Sequence, residues 1–568
     1  MANDSKNSVS VARYLVSRIE ELVAVVPFIQ GGAVSKLVDE VGQSKKLKYI
    51  CPNHEQALAM MVDAYARVRG FGIGMVTSGP GGTNLATGLG CAYYDSVPCL
   101  LITGQVGMFH VKGQRRVRQR GFQETDIISV LKPLTKWSVL LDDPAQTRCV
   151  FEKAVYLAKA GRPGPVHIDV PFNVQRAVVN PMDLKGFDPS ELSETMPEPH
   201  AIAEEILKEL RSARKPVILA GGGVKISGTG SEFLALARAL EVPMVATWTA
   251  ADIFDNNDPL YLGHPGRLGN KSAVEAIQRS DFLLALGTRF PARVVVNEKD
   301  FAKRARIVAV DADAGELADG LIVPQRAIAM RLEALLPKLA QAARQAEPLE
   351  ISEWRSEVAE LKKGHFKIDG TTHQDAGHIS PYVFLAGLSE LLPENAIIIP
   401  DCGSNLTWVM QAYQPKPGQH LFSAWGHSPM GYSLPAALGA QLAAPGRPVV
   451  ALIGDGGMQM NIQELQTIAV NKLPVKVFIL NNECYANTKF PSRDQFEGRS
   501  YGNEPGFGYA APDFVKIIQA YGLPVKTITG RGDWRQEIKD ILKASGPMFA
   551  DVRIHPEQFV HDLGSNLS

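Results

Sequence analysis

The sequence predicts an α/β protein built from three parallel-sheet regions, and three observations carry that prediction. Short apolar runs end in glycine-rich or small-residue turns and alternate with helical patterns, as strands buried on both faces do. The chain has 568 residues, and a single hydrophobic core rarely grows beyond roughly 250–300, so several domains are expected. Two polar connectors, 180–199 and 341–375, divide the apolar runs into three groups. The expected domains are 1–178, 200–340 and 376–560.

In the first region a helical pattern over Glu55–Arg69 precedes strand candidates at 72–77 and 99–103, and PVHIDV at 165–170 closes it. The second region carries buried-strand candidates at Pro216–Ala220, Phe282–Leu286 and 307–310. The third carries them at 396–400, 449–453, 475–480 and 548–552. The first connector reads as a Pro- and acid-rich linker, the second as a charged helix.

Composition excludes several classes. Lys+Arg and Asp+Glu are 59 each, so no global field favours nucleic acid or an anionic membrane. No apolar run is long enough to span a bilayer, and MANDSKNSVS lacks the pattern of a signal peptide. Six cysteines, at 51, 91, 99, 149, 402 and 484, form no CxxC pair, which argues against a disulfide scaffold or zinc site and places the chain in the cytoplasm. Glycine alone is raised, 51 of 568 or about 9% against a usual ~7%.

Gly454-Asp455-Gly456 follows the strand VVALI, and Asn481-Asn482 follows VKVFIL, with 24 residues (457–480) between the two motifs. Adjoining parallel strands put both tips at one carboxyl edge, where open α/β sheets bind ligands. Asp455 and Asn482 offer hard oxygens suited to Mg²⁺ shared with phosphates. The glycines, Gly457 included, let backbone N–H groups approach a diphosphate, and a helix over 461–470 is expected to turn its positive end toward it.

This pairing resembles the signature of thiamine-diphosphate enzymes. There a backbone carbonyl two residues past the second Asn, here Cys484, completes the metal shell, and Tyr485 falls among the cofactor contacts. The resemblance extends along nearly the whole chain. HEQALAMMVDAYARVRG, TSGPGGTNLATGL, YDSVPCLLITGQV, GFQETD and GRPGPVHIDVP are similar to the pyrimidine-binding domain of the acetolactate synthase group. PMGYSLPAALGAQ and GDGGMQMNIQELQTI are similar to its diphosphate-binding domain. The resemblance implies three doubly wound domains, a Rossmann-like one lying between the other two, and a homodimer or homotetramer with active sites at the subunit interface.

A carboxylate opening an apolar helix, as Glu55 does, ordinarily caps it. The resemblance makes Glu55 the residue that hydrogen-bonds the aminopyrimidine ring and promotes loss of the thiazolium C2 proton. It also implies that Met430 lies beside that ring, that Ser404 and Asn405 help hold the diphosphate, that Phe122 and Gln123 line the substrate pocket, and that Gly32 leaves room above C2.

Three departures from the group's pattern stand out. Gln30 replaces a Pro before the two glycines. Ala486-Asn487 and Pro491 stand where Gly-Met and an acceptor-shaping Trp are usual, and Asn487 either hydrogen-bonds a carbonyl or hydroxylated acceptor or merely fills a variable loop. Pro291-Ala292 replaces a doubled Asp after LLALGTRF. With VAVDADAGEL, that segment is similar to the FAD-bearing central domain of acetolactate synthases, a fold that relatives keep both with and without flavin. Separately, Lys112, Arg115, Arg116, Arg118 and Arg120 form a basic run immediately before GFQE. Such a run is usually a solvated loop; here it abuts the expected substrate entrance, where it is placed to bind a phosphate or carboxylate of the acceptor, which would suit the branch of the family that transfers a two-carbon unit to ketone or nucleotide-linked keto-sugar acceptors.

The expected function is a thiamine-diphosphate- and Mg²⁺-dependent carboligase. It decarboxylates a 2-oxo acid, pyruvate first, and transfers the two-carbon unit to an aldehyde or ketone acceptor. Two alternatives are a C–C lyase or hydrolase of a diketone, or a simple decarboxylase. A non-catalytic paralogue is a third reading, and it would be expected to have lost Glu55 or the GDG…NN set.

Overall fold

Every strand expected from an apolar run forms, with ends shifted by a residue or so. The computed structural model describes residues 8–192, 197–363 and 373–562. The first sheet has the order Gly72–Val76, Cys99–Gln105, Pro165–Pro171, Trp137–Leu140, all parallel. A parallel pair, Val25–Pro27 with Lys48–Ile50, abuts it through a bridge between Phe28 and Met75. The central sheet runs Met244–Ala246, Pro216–Ala220, Phe282–Leu286, Arg306–Asp311, Arg326–Ala329. The third runs His420–Leu421, Ile397–Pro400, Val449–Gly454, Lys476–Asn481, Met548–Arg553, Val525–Ile528. All pairs in these sheets are parallel, and the order reverses direction within each, so helices cover both faces and the inner strands are buried almost end to end, while edge strands such as Trp137–Leu140 and Val525–Ile528 are only partly covered.

The Glu55–Arg69 helix is the main link between the first and third sheets. Ala57 through Ala66 are buried without a break, so it is enclosed on all sides rather than amphipathic. Small residues allow this. A Cβ on Gly88 would lie 2.3 Å from Ala59 Cβ, and one on Gly439 would lie 2.1 Å from the Met61 carbonyl oxygen. The helices Ala86–Tyr94 and Ser433–Ala443 therefore approach it almost backbone to backbone. A buried polar network locks the same junction. Arg67 bonds Asp63 (2.9 Å) and Asp95 (2.8 Å), Asp95 accepts from the backbone of Trp425 and Gly426, and Tyr432 donates to Asp63.

Two expectations need correction. The helix anticipated over 461–470 begins earlier and is broken, as Asp455–Met460 and then Glu464–Asn471. Asn461 leaves helical geometry (φ −132°), and its amide donates to the Gly431 carbonyl at 2.8 Å, which costs the helix its continuity. The positive helix end therefore sits on the GDG turn itself. The second connector is two helices, Leu332–Gln345 and Ser352–Lys363, and its residues 364–372 lie outside the described ones. The first connector is two short turns, Pro181–Asp183 and Pro189–Leu192, and its residues 193–196 also lie outside. No described helix is long and apolar enough to cross a membrane.

Candidate active site

The expected site residues collect at two sheet edges. At the carboxyl edge of Val449–Gly454, Gly454 caps the Asp455–Met460 helix in an extended conformation. Asp455 is 2% exposed. Its Oδ1 accepts from the Gly456 N–H (2.6 Å) and the Tyr509 hydroxyl (3.0 Å), while Oδ2 is buried with no partner. Burial pushes this carboxyl up to about 6, against the pull of Gly456, Tyr509 and the Glu483 and Cys484 backbone. The GDG and NN turns thus meet at Asp455, as the strand pairing requires. A buried carboxylate oxygen left without a hydrogen bond is an arrangement suited to a cation.

Around it the NN turn is built from backbone strain and side-chain ties. Asn481 points away, bonding Asp551 at 2.9 Å. Asn482 is buried and donates to Cys484 Sγ at 3.2 Å, which orients its amide; Glu483 between them is left-handed (φ +56°). Burial pushes the Cys484 thiol up to about 12, so its side chain stays neutral and the expected ligand there is the carbonyl. Tyr485 lies over Gly456, where a Cβ would come within 1.9 Å of the ring, and packs on Tyr509 at 4.1 Å.

Next along the edge, Ser404 and Asn405 open the helix Ser404–Ala412. Asn405 donates to the Leu452 carbonyl at 2.7 Å, and Ser404 Oγ and Asn405 Oδ1 are buried without partners. Asn487, exposed on the helix Ala486–Gln495, faces this turn; its Cβ would be 3.9 Å from a Cβ on Gly403. Half-buried Met430 precedes left-handed Gly431. Asp401 organises this whole edge. Its carboxylate accepts from the N–H groups of Cys402, Gly431 and Ser433, and a Cβ on Gly457 would come within 2.9 Å of it.

The second group sits at the edge of Gly72–Val76. Gly31 packs on Thr77, whereas a Cβ on Gly32 would meet nothing within 4 Å. Glu55 is half-buried and accepts from Asn84 Nδ2 at 2.9 Å. The cap of its helix is His54, whose Nδ1 accepts from the Gln56 N–H, so Glu55 is not needed for capping. Gln123 is left-handed (φ +58°), and its carbonyl presses on Gly79; Phe122 is 86% exposed. Glu124 fixes this loop, its buried carboxylate accepting from the backbone N–H groups of Lys112, Arg120 and Gly121.

Beneath the loop runs a buried polar chain. Gln105 Nε2 donates to the Thr125 carbonyl (3.0 Å) and to Asp169 (2.9 Å); Thr103 Oγ1 joins Asp169 to His167, and His167 joins Ser138. Burial raises Asp169 to about 7 and lowers His167 to about 3.

Within one chain Glu55 does not bond the GDG turn. Its neighbours Asn53 and Gln56 bond the segment 461–467 instead, through Glu464, Thr467 and Asn461. Sequence reasoning missed Asp401, Glu124, Glu464 and Tyr509. Among the described residues no group of three or more His, Cys, Asp or Glu side chains is placed to hold a metal.

A separate cavity of about 710 Å³ lies where the three regions meet. Its lining includes Arg67, Gly223, Arg289, Asp311, Trp248 and Trp425.

Comparison with known proteins gives a consistent result. Residues 9–130 match the family described as thiamine pyrophosphate enzyme, N-terminal TPP binding domain; 203–339 match its central domain; 401–552 match its C-terminal TPP binding domain. The chain is 34% identical over 549 residues to "Acetolactate synthase 1, chloroplastic" of Nicotiana tabacum, covering 93% of this chain and 79% of that protein. It is 31% identical over 573 residues to "Probable acetolactate synthase large subunit" of Methanococcus aeolicus, covering 96% and 92%. It is 31% identical over 554 residues to "Acetolactate synthase large subunit" of Lactococcus lactis, covering 97% and 93%.

Proposed function

Because the chain belongs to the thiamine pyrophosphate enzyme family, we propose that the two edges are halves of one active site completed between two copies of the chain. The protein is a thiamine-diphosphate-dependent carboligase of the acetolactate synthase kind. In our reading the donor is a 2-oxo acid, pyruvate first, and the acceptor is an aldehyde or ketone. The observation that carries the site is Asp455, held at a glycine turn with one buried carboxylate oxygen lacking any donor.

When bound, thiamine diphosphate supplies the electron sink for loss of CO₂ and the nucleophilic carbon for the new bond. Asp455, the Asn482 side chain and the Cys484 carbonyl would hold Mg²⁺. The unpartnered Ser404 and Asn405 groups and the open Gly454 at the helix start suit the diphosphate. Tyr485 and Met430 would flank the cofactor. Glu55, free of capping duty and supported by Asn84, would exchange a proton with the aminopyrimidine nitrogen of the partner's cofactor. Gly32 keeps space open, Phe122 and Gln123 line the entrance, and Asn487 orients the acceptor.

The size of the central cavity, with the Gly222–Gly223 turn and the Asp311 carboxylate at its wall, suits a dinucleotide, and we assign FAD there in a structural role. A purified protein that is yellow and releases FAD on denaturation supports this; a colourless, flavin-free one refutes it. All six cysteines are unpaired, which supports a cytoplasmic home.

The deciding experiment is Glu55→Gln, with mass spectrometry of products from pyruvate and a panel of carbonyl acceptors. The parent chain should yield α-hydroxyketones, and the variant should bind the cofactor yet lose turnover by about 10²-fold or more. Full activity in the variant would refute the assignment. Cleavage of a diketone without carboligation would favour the lyase reading.

A further inference from the structure

The basic loop over 112–120 combines unpaired charge with a backbone anchored on one buried carboxylate. Ion pairs hold many basic side chains of the described structure, but Lys112, Arg115, Arg116, Arg118 and Arg120 take part in none of them. The four arginines are exposed, and only Arg115 has a side-chain bond, to the Lys112 carbonyl at 3.2 Å. The nearest acid, Glu124, does not neutralise them. It is 5% exposed, and its carboxylate is occupied by the backbone N–H groups of Lys112, Arg120 and Gly121.

That arrangement does two things. One buried carboxylate ties both ends of the loop together, so the guanidinium groups stand on a closed, anchored frame. It also leaves four like charges within six residues uncompensated in a chain of zero net charge. Like charges held this close repel one another at a cost to the fold, and an anion removes that cost. The frame ends at Phe122 and Gln123, beside the Gly79 turn, so the charge lies at the foot of the expected acceptor entrance.

The amount of charge narrows the ligand. A 2-oxo acid carries one carboxylate, which a single guanidinium fork satisfies. Four unpaired forks match a group with two or more negative charges and several acceptor oxygens. We infer that the 112–120 loop docks a phosphate or diphosphate group carried by the acceptor. This rests on the reading of the chain as a carboligase with its entrance at Phe122 and Gln123. A phosphate monoester and a nucleoside diphosphate share this chemistry.

The test is arginine footprinting with phenylglyoxal, read by mass spectrometry, on enzyme saturated with thiamine diphosphate and Mg²⁺. Probes are fructose 6-phosphate, uridine diphosphate and, as the single-charge control, acetate. A probe at ten times its Kd should slow modification of Arg115, Arg116, Arg118 and Arg120 about tenfold, because about a tenth of sites remain free. Acetate should not. The probe that protects identifies the source: fructose 6-phosphate a monoester, uridine diphosphate a nucleotide. Calorimetry on the Arg115→Ala/Arg116→Ala/Arg118→Ala variant should show weaker binding of the same probe, with thiamine diphosphate affinity kept. Arginines that are unreactive before any probe is added, protection by neither probe, or undiminished binding in the variant would each overturn the inference. Pyruvate turnover by the same preparation is read in parallel. Its absence counts against the carboligase reading, whereas turnover without protection counts against the phosphate site alone.

Discussion

The buried pair His167 and Asp169 makes a prediction about pH that neither residue makes alone. Asp169 is 1% exposed and His167 0%, and Thr103 Oγ1 bridges them at 2.5 and 2.8 Å. In the fold Asp169 titrates at about 7 rather than 3.8, and His167 at about 3 rather than 6.5. Between about pH 4 and 6.5 the folded pair therefore holds its proton on Asp169, whereas the unfolded pair holds it on His167. Each state binds one proton, so the pair adds no slope to stability against pH in that window. His167→Gln removes the compensation. The Asp169 carboxyl, raised in the fold, then stabilises fully below about pH 4, and that stability is lost as pH rises through 7. Its size is about three units at ~1.4 kcal/mol each, or ~4 kcal/mol at most. Asp169→Asn leaves the opposite term. His167, depressed in the fold, contributes stability above pH 6.5 that is lost as pH falls toward 3, ~5 kcal/mol at most. Urea midpoints from pH 4.5 to 6.5, each referred to the parent chain, should diverge by up to ~1.4 kcal/mol per pH unit with opposite signs in the two variants. Variant curves that run parallel to the parent would refute the assigned protonation states.

Two further perturbations test the supports of the site. Gly456→Ala places a Cβ within 1.9 Å of the Tyr485 ring, so the ring must swing off the GDG turn. Thiamine diphosphate affinity should fall at least about tenfold, ~1.4 kcal/mol, while the urea midpoint moves little; unchanged affinity by calorimetry would contradict the placement. Lys489 is buried and bonds Glu504 (3.1 Å), Glu557 (2.7 Å) and the Pro556 carbonyl (2.9 Å), clasping the Ala486–Gln495 helix to the 556–557 segment. Lys489→Met should leave the acids under-compensated and cost ~3 kcal/mol in unfolding free energy, and a midpoint equal to the parent's would count against the clasp.

The parts of the fold governed by local pattern were legible in the sequence. Pro216–Ala220 and Phe282–Leu286 form with the expected bounds because an apolar run between turn residues has no other low-energy use in a doubly wound sheet. Glu55–Arg69 was also bounded correctly, since Gly70 supplies the left-handed C-cap that ends it. The helix after GDG was misplaced because its break at Asn461 depends on a bond to Gly431, 30 residues away, which leaves no periodic trace. Asp401 follows a strand just as Asp455 does, and its position at a carboxyl edge was the signal available. Glu124 lay inside the quoted GFQETD, but its burial is fixed by backbone donors up to 12 residues earlier. Lys489 gave no signal, because a lysine is ordinarily read as solvated and its partners lie at 504 and 557.

The supports of the site differ in how freely their sequences can change. Glu55 rides on a helix enclosed on every side, with neighbouring backbones nearly touching at Gly88 and Gly439, so almost any change of volume there shifts the position of Glu55. Phe122 and Gln123 sit on a surface loop held by the single carboxylate of Glu124, and Asn487 on a surface helix held by the Lys489 clasp. The proposed site places acceptor preference on these exchangeable parts, the loop over 107–126 and the helix over 486–495, provided Glu124 and Lys489 are kept. The helix that begins at Glu55 should be left alone, because it is the part of the scaffold that later variation can least afford to alter.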